Sequence, residues 1–280
     1  MIVKLLKVLV VLALAVGVFG GGAYWAWRTW FAPRQVGVAE TLPPSSAPYI
    51  PPDPAAPLFE RAREAQSAGR TADLLASLHE IIRDYPQSGK AADARRWLGE
   101  MQVQTFLTTE GEPYVVGRGD TLAGIAGKHR TNAELIFRAN NLENTVLQIG
   151  QKLRLPKPEF SIGIVQATGA VRLYRGDRFF REYVPTDHKV PAAGTAAGQV
   201  TERISWRTAQ RVAFGSKEYP DATRWIVIKQ PPLTLYTDWQ AAGITDRNDS
   251  RRPGAGVGLL PEAIDELFVL VTRGTPVRIE

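Results

Sequence analysis

The sequence predicts a multidomain α+β protein: an N-terminal transmembrane helix, a small helical block, a βααβ module and a mostly-β C-terminal domain. Three observations carry this reading. Val8 to Trp27 is a run of 20 residues without one charge. Eight prolines interrupt any hydrophobic period between Ala32 and Pro57. From Phe160 onward, helical spacing gives way to short apolar segments separated by Gly, Pro and Asp, the texture of strands and turns. The length of 280 residues agrees with more than one domain. The net charge of +6 suits an anionic membrane, an anionic cell wall or nucleic acid and decides among none of them. There is no cysteine, which excludes disulfides, zinc–thiolate sites, iron–sulfur clusters and a thiol nucleophile.

The first element, residues 1–31, reads as a transmembrane signal anchor. At 1.5 Å per residue the charge-free run spans roughly 30 Å, the hydrocarbon core of a bilayer. Lys4 and Lys7 precede it, Arg28 and Arg34 follow it, and Trp25, Trp27 and Trp30 sit where an interfacial aromatic belt would lie. A cleavable signal peptide is the alternative, with a cut after Ala23. The apolar run continues past Ala23 into the tryptophans, which favours the anchor. The anchor reading makes the cytoplasmic membrane an expected partner, and on either reading the rest of the chain lies outside the cytoplasm. Nucleic acid is then not expected as a partner. Residues 32–57 form a proline-rich linker, an extended and semi-rigid spacer.

Residues 58–110 read as helices. A first helix ends at Gly69, with Thr71 as candidate N-cap of the next. Leu74, Leu75, Leu78, Ile81 and Ile82 make an amphipathic stripe. Tyr85-Pro86 breaks it, and Ser88 is placed to cap a third helix through Met101. This pattern resembles tetratricopeptide-type helical hairpins over about one and a half repeats, where arrays usually need about three. A small bundle packed on its neighbours and a groove for an envelope protein partner both remain open.

Residues 113–157 carry the sharpest pattern. Tyr114-Val115-Val116 begins a strand, Asp120 or Thr121 caps a helix with Leu122, Ile125 and Ala126 inward, and Ala133 to Ala139 forms a second helix ended by Asn140-Asn141. Leu153 and Leu155 alternate with Lys152 and Arg154 in a final strand. Tyr-Val-Val-Gly-Arg-Gly-Asp-Thr-Leu at 114–122, Asn-Asn-Leu at 140–142 and Leu-Gln-Ile-Gly-Gln-Lys-Leu at 147–153 together resemble a LysM domain. That resemblance implies a βααβ fold that binds peptidoglycan or another N-acetylglucosamine-containing glycan. It places the sugar in a shallow groove between Gly119, Asp120, Thr121 and Leu122 on one side and Leu147, Gln148, Ile149, Gly150 and Gln151 on the other. Leu122 has a competing place in the core, and Asp120 a competing role as a helix cap.

Residues 160–280 read as strands at Ile162–Val165, Ala170–Tyr174, Arg178–Val184, Val200–Trp206, Arg224–Ile228 and Leu233–Tyr236. A helix starting at Pro261 and ending at Gly274 follows, with a last strand at Pro276–Ile279. Arg175-Gly176-Asp177 reads as a hairpin turn. Leu173-Tyr174, Gly176, Tyr183-Val184-Pro185, Leu267-Phe268 and Gly274-Thr275-Pro276-Val277 resemble the L,D-transpeptidase catalytic domain. Counting back from Gly274 puts that family's nucleophilic cysteine at Gly256, its histidine at Gly254 and its arginine at Gly258. Its upstream His-Gly pair falls near Tyr236-Thr237. The three histidines are His79, His129 and His188, none at a motif position. Attack on a peptide carbonyl needs an activated nucleophile, and Ser250 beside Asp249 has no histidine neighbour in sequence. Arg251 and Arg252 are candidates to meet peptide carboxylates. The glycines either leave the cleft open or let the segment collapse.

The expectation is a membrane-anchored envelope protein that holds peptidoglycan through the LysM-like module and carries a transpeptidase-like domain without catalytic residues, cofactor or metal. Two alternatives stand against it. One is an active peptidoglycan enzyme with an unrecognised nucleophile, and the other is a protein–protein adaptor built on the helical block.

Overall fold

Helix α1 (Ala56–Ser67), α2 (Thr71–Asp84) and α3 (Gly89–Thr109) open the computed structural model, which describes residues 51–191, 197–207, 210–238, 240 and 253–280. The expected membrane anchor, most of the linker, and Asp249, Ser250, Arg251 and Arg252 lie outside the described residues. Among the described residues no helix is long and apolar enough to cross a membrane.

Ala62, Ala65, Leu74, Leu78, Ile81, Ala91, Ala94 and Leu98 close the helical core, with the alanines allowing close approach. Ser88 caps α3 as expected: its hydroxyl accepts from the Lys90 amide at 2.9 Å. Thr71 does not cap α2. Gly69 turns the chain at φ +68°, so that the Arg70 carbonyl already accepts from the Leu74 amide and Thr71 falls inside the first turn. Helix α3 runs past Met101 to Thr109 because its far end has a core to enter. Phe106 stacks edge-on against Phe160 at 5.2 Å and Phe180 at 6.1 Å. The helical block is therefore packed on the C-terminal sheet. At Gly99 an added Cβ would lie 2.5 Å from Arg181 Cδ.

The βααβ module follows, with β1 (Glu112–Val115), α4 (Leu122–Lys128), α5 (Ala133–Ala139) and β2 (Lys152–Leu155). Strands β1 and β2 pair antiparallel with Tyr114 opposite Leu153. Val116, Leu122, Ile125, Ala126, Ile136, Leu153 and Leu155 fill its core. Leu135 points the other way, into the core of the C-terminal domain. Asn132 reinforces that junction. Its side chain accepts from the Leu135 amide and donates to the Val269 carbonyl, each at 2.7 Å.

The remaining strands are β3 (Ser161–Ile164), β4 (Val171–Arg175), β5 (Arg178–Tyr183), β6 (Asp187–Lys189), β7 (Ala197–Arg207), β8 (Gln210–Arg211), β9 (Thr223–Ile228), β10 (Leu233–Thr237), β11 (Gly256–Leu259) and β12 (Pro276–Ile279). They form a sheet in the order β5-β4-β3-β12-β7-β9-β10-β11-β6, with β8 on β7. The β3–β12 and β10–β11 pairs are parallel and the others antiparallel. Helix α6 (Pro261–Leu270) buries Ile264, Leu267 and Phe268 against β9 and β10. It stops at Leu270, short of Gly274. Gly274, at φ +91°, instead turns the chain into β12, because the Thr275 amide bonds the Thr272 carbonyl beyond the helix. Gly176 makes the β4–β5 turn at φ +59°.

Candidate functional site

The loop between β1 and α4 is braced from within. The Asp120 carboxylate accepts from the Tyr114 hydroxyl at 2.7 Å and from the Gly117 amide at 2.8 Å. The Tyr114 bond above all holds the Asp120 carboxyl below its ordinary pKa, and the same contact raises that of the Tyr114 phenol. Thr121, not Asp120, caps α4, its hydroxyl accepting from the Gly124 amide at 3.1 Å. Leu122 is buried, so of this residue only the main chain faces the loop.

The second loop is tied to the first through one residue. Val116 donates to the Gln151 carbonyl at 2.9 Å and accepts from the Gly150 amide at 2.8 Å. Within it, the Gln151 side chain accepts from the Gln148 amide at 3.1 Å. Leu147 is half-buried against the module core, while Ile149 is 74% exposed. Gly119 and Gly150 both sit at φ +84°, and an added Cβ at either would meet nothing within 4 Å. Both loops thus offer bare main chain at a conformation that favours glycine. Residues 114–156 match the family model of the LysM domain.

The LysM module has a concavity beside the second loop. A depression of 590 Å³ is lined by Asn140 to Asn144, Val146 and Gln148 to Gln151. The structure therefore brings Gln148 to Gln151 to a concave surface and leaves Leu147 and Gly119 to Leu122 outside its lining. Glu143, Asn144 and Val146 join it without having been singled out from sequence, while the Asn-Asn-Leu string at 140–142 was a signal that something there mattered. Asn140 explains part of that signal. Its amide group donates to the Ile136 and Arg154 carbonyls, each at 2.8 Å, and its oxygen accepts from the Arg154 amide at 2.7 Å, fastening α5 to β2. Asn141 takes a left-handed φ of +48°, a conformation asparagine tolerates.

Gly254, Gly256 and Gly258 behave differently from one another. Gly256 and Gly258 lie in β11, which is buried throughout and pairs parallel with β10. An added Cβ at Gly256 would sit 2.5 Å from the Thr234 carbonyl oxygen and 2.8 Å from the Tyr236 ring. At Gly258 it would sit 3.2 Å from the Tyr236 ring and from the Thr186 hydroxyl. The space beside these glycines is filled by Tyr236, which is 5% exposed. Gly254 has open space around it. The structure brings His188, distant in sequence, opposite Val257 in the β6–β11 pair. Strand alternation puts that pair on the other face from Gly256 and Gly258.

None of the curated proteins compared with the chain matches it. Among solved structures, an L,D-transpeptidase from Mycobacterium smegmatis covers 48% of this chain and 64% of its own, at 9% identity and a TM-score of 0.29. L,D-transpeptidase 1 of Mycobacterium tuberculosis covers 47% and 63%, at 12% identity and a TM-score of 0.28. An Enterococcus faecium L,D-transpeptidase covers 49% and 56%, at 14% identity and a TM-score of 0.28. The chain thus spans less than two thirds of each of those structures.

Proposed function

We propose that this protein is a membrane-anchored, non-catalytic peptidoglycan-binding protein of the cell envelope. The LysM match over residues 114–156 carries the reading. The anchor is the charge-free run Val8–Trp27, long enough to span a bilayer, and the bulk of the chain lies on the outer side of the cytoplasmic membrane. The glycan, containing N-acetylglucosamine, lies along Gly119 to Leu122 and Leu147 to Gln151, where exposed main chain can hydrogen-bond acetamido groups.

The C-terminal domain keeps a transpeptidase-like frame without turnover. Two features support this. The chain has no cysteine, and Gly256, where the family's nucleophile is counted, has no room for a side chain. Sedimentation of the full chain with purified sacculi tests the binding claim, and co-sedimentation is the expected result. A chain that stays in the supernatant would turn the account toward an adaptor built on the helical block. Incubation with muropeptides tests the second claim. The expected result is no cross-linked or trimmed product, and products abolished by Ser250→Ala would establish an enzyme instead.

A further inference from the structure

Where the LysM module docks on the C-terminal sheet, charge is buried in quantity. Arg203, Ser205 and Arg224 share the face of β7 and β9 that meets α5 and α6, since Ser205 lies opposite Arg224 in the antiparallel register. Arg224 is 2% exposed, and its buried Nε makes an ion pair but no hydrogen bond. Arg224 donates to the Ala222 and Tyr219 carbonyls at 2.8 and 3.1 Å, its Nε lies 3.2 Å from Asp265 Oδ1, and its guanidinium covers the Tyr219 ring at 4.1 Å. Glu134, 4% exposed, holds Arg138 at 2.7 Å and accepts from the Tyr219 hydroxyl.

Arg203 has no such partners. Its guanidinium stacks on Phe268 at 4.1 Å and its Nε is buried without a hydrogen bond. Among the described residues it makes no ion pair. Its neighbours Arg138 and Arg224 are ion-paired, to Glu134 and Asp265 respectively. Burial accordingly pushes the Arg203 guanidinium down to about 10. Beside it lies a cavity of 250 Å³, lined on its polar side by Asn132, Glu134, Arg203, Ser205 and Tyr219. A buried N–H with an unmade hydrogen bond is unfavourable unless something supplies the acceptor.

We propose that this cavity holds a small monoanionic carboxylate, its oxygens accepting from Arg203 with the Ser205 hydroxyl alongside. Arg203 offers the ligand one positive charge, and Glu134 in the wall would repel a dianion. The remaining wall, with Val212, Ala213 and Phe214, is apolar and suits a short aliphatic substituent. A free carboxylic acid and the carboxyl end of a short peptide share this chemistry. The site is separate from the glycan loops, and its test does not depend on them.

The test titrates the full chain at constant ionic strength with propionate, inorganic phosphate, trialanine and trialanine amide. It reads thermal midpoint and, by equilibrium dialysis, stoichiometry. Propionate or trialanine is expected to raise the midpoint saturably with one molecule bound per chain, as mass action requires of a ligand for the folded state. Phosphate should bind at least about tenfold more weakly, a difference of about 1.4 kcal/mol. A response to trialanine but not its amide identifies a peptide terminus as the source, and a response to propionate alone identifies a free acid. Arg203→Met, which keeps an apolar stem over Phe268, should abolish the response. Should that variant fail to fold, Ser205→Ala must weaken binding severalfold. A midpoint that rises without saturation, phosphate binding as tightly as the carboxylates, or undiminished binding in a folded variant would overturn the proposal.

Discussion

Glycine is used in two opposite ways in this molecule. Gly119 and Gly150 of the LysM module stand at φ +84° with nothing near the missing side chain. In the C-terminal domain Gly256 is pressed against the Thr234 carbonyl and the Tyr236 ring, and Gly258 against the Tyr236 ring and the Thr186 hydroxyl. The first pair leaves main chain open to a ligand, and the second removes side chains so that strand and aromatic ring can close. A glycine-rich stretch is therefore not by itself a binding loop. What separates the two cases is the space around the absent Cβ.

The largest effect expected from breaking this contrast is at β11. Gly256→Ala should cost about 3 kcal/mol or more, because the nearest obstacle is the Thr234 carbonyl, part of the backbone and unable to rotate away. Gly254→Ala, with open space around it, should stay within about 0.5 kcal/mol of the parent. Chemical denaturation of both variants checks the pair. Equal stabilities would mean that β11 is not closed as described. Gly256→Cys should be destabilised like the alanine variant and gain no peptidoglycan activity, measured with muropeptides.

The next effect lies at the junction of the two regions. Asn132→Ala removes the cap of α5 and the bond to the Val269 carbonyl, and should cost about 2 kcal/mol. If the junction serves packing and the open loops serve binding, sacculus retention of the folded variant should be unchanged.

How far the sequence revealed these features depends on how local their causes are. The alternation of Leu153 and Leu155, the Ser88 cap and the proline at the start of α6 were readable because a few neighbouring residues determine them. Thr71 misled because Gly69 turns the chain one residue sooner than the cap pattern implies. Strand β11 was not read as a strand at all, since Gly-Val-Gly-Leu carries little β-propensity and its burial comes from Tyr236 on the neighbouring strand. The roles of Asp120 and Asn140 depend on partners across the module. The Glu134–Tyr219 contact joins residues 85 apart, and no local pattern announces it.

A smaller effect is expected at the open glycines. Gly119→Ala and Gly150→Ala should each cost about 1–2 kcal/mol for holding a left-handed conformation, with no clash. Sacculus retention should fall by more than the loss of folded protein explains. If retention tracks stability alone, the loops are only turns.

The smallest effect concerns pH. The Asp120 carboxyl is held below its usual value, so its brace is in place above about pH 4 and is lost as the pH falls through the folded value. Sacculus retention by the parent should be flat from pH 7 to about pH 4 and then decline. Asp120→Ala should lower retention throughout and remove that decline. A parent profile that changes between pH 5 and 7 would point to another group.

The most direct test of the open-glycine account is residue-resolved binding. The full chain, isotopically labelled, would be titrated with an N-acetylglucosamine oligomer while backbone amide shifts are followed. The account predicts saturable shifts confined to Gly119–Leu122 and Leu147–Gln151, with Val257 and Gly258 unmoved. Shifts centred on β11, or none in either LysM loop at saturating oligomer, would contradict it.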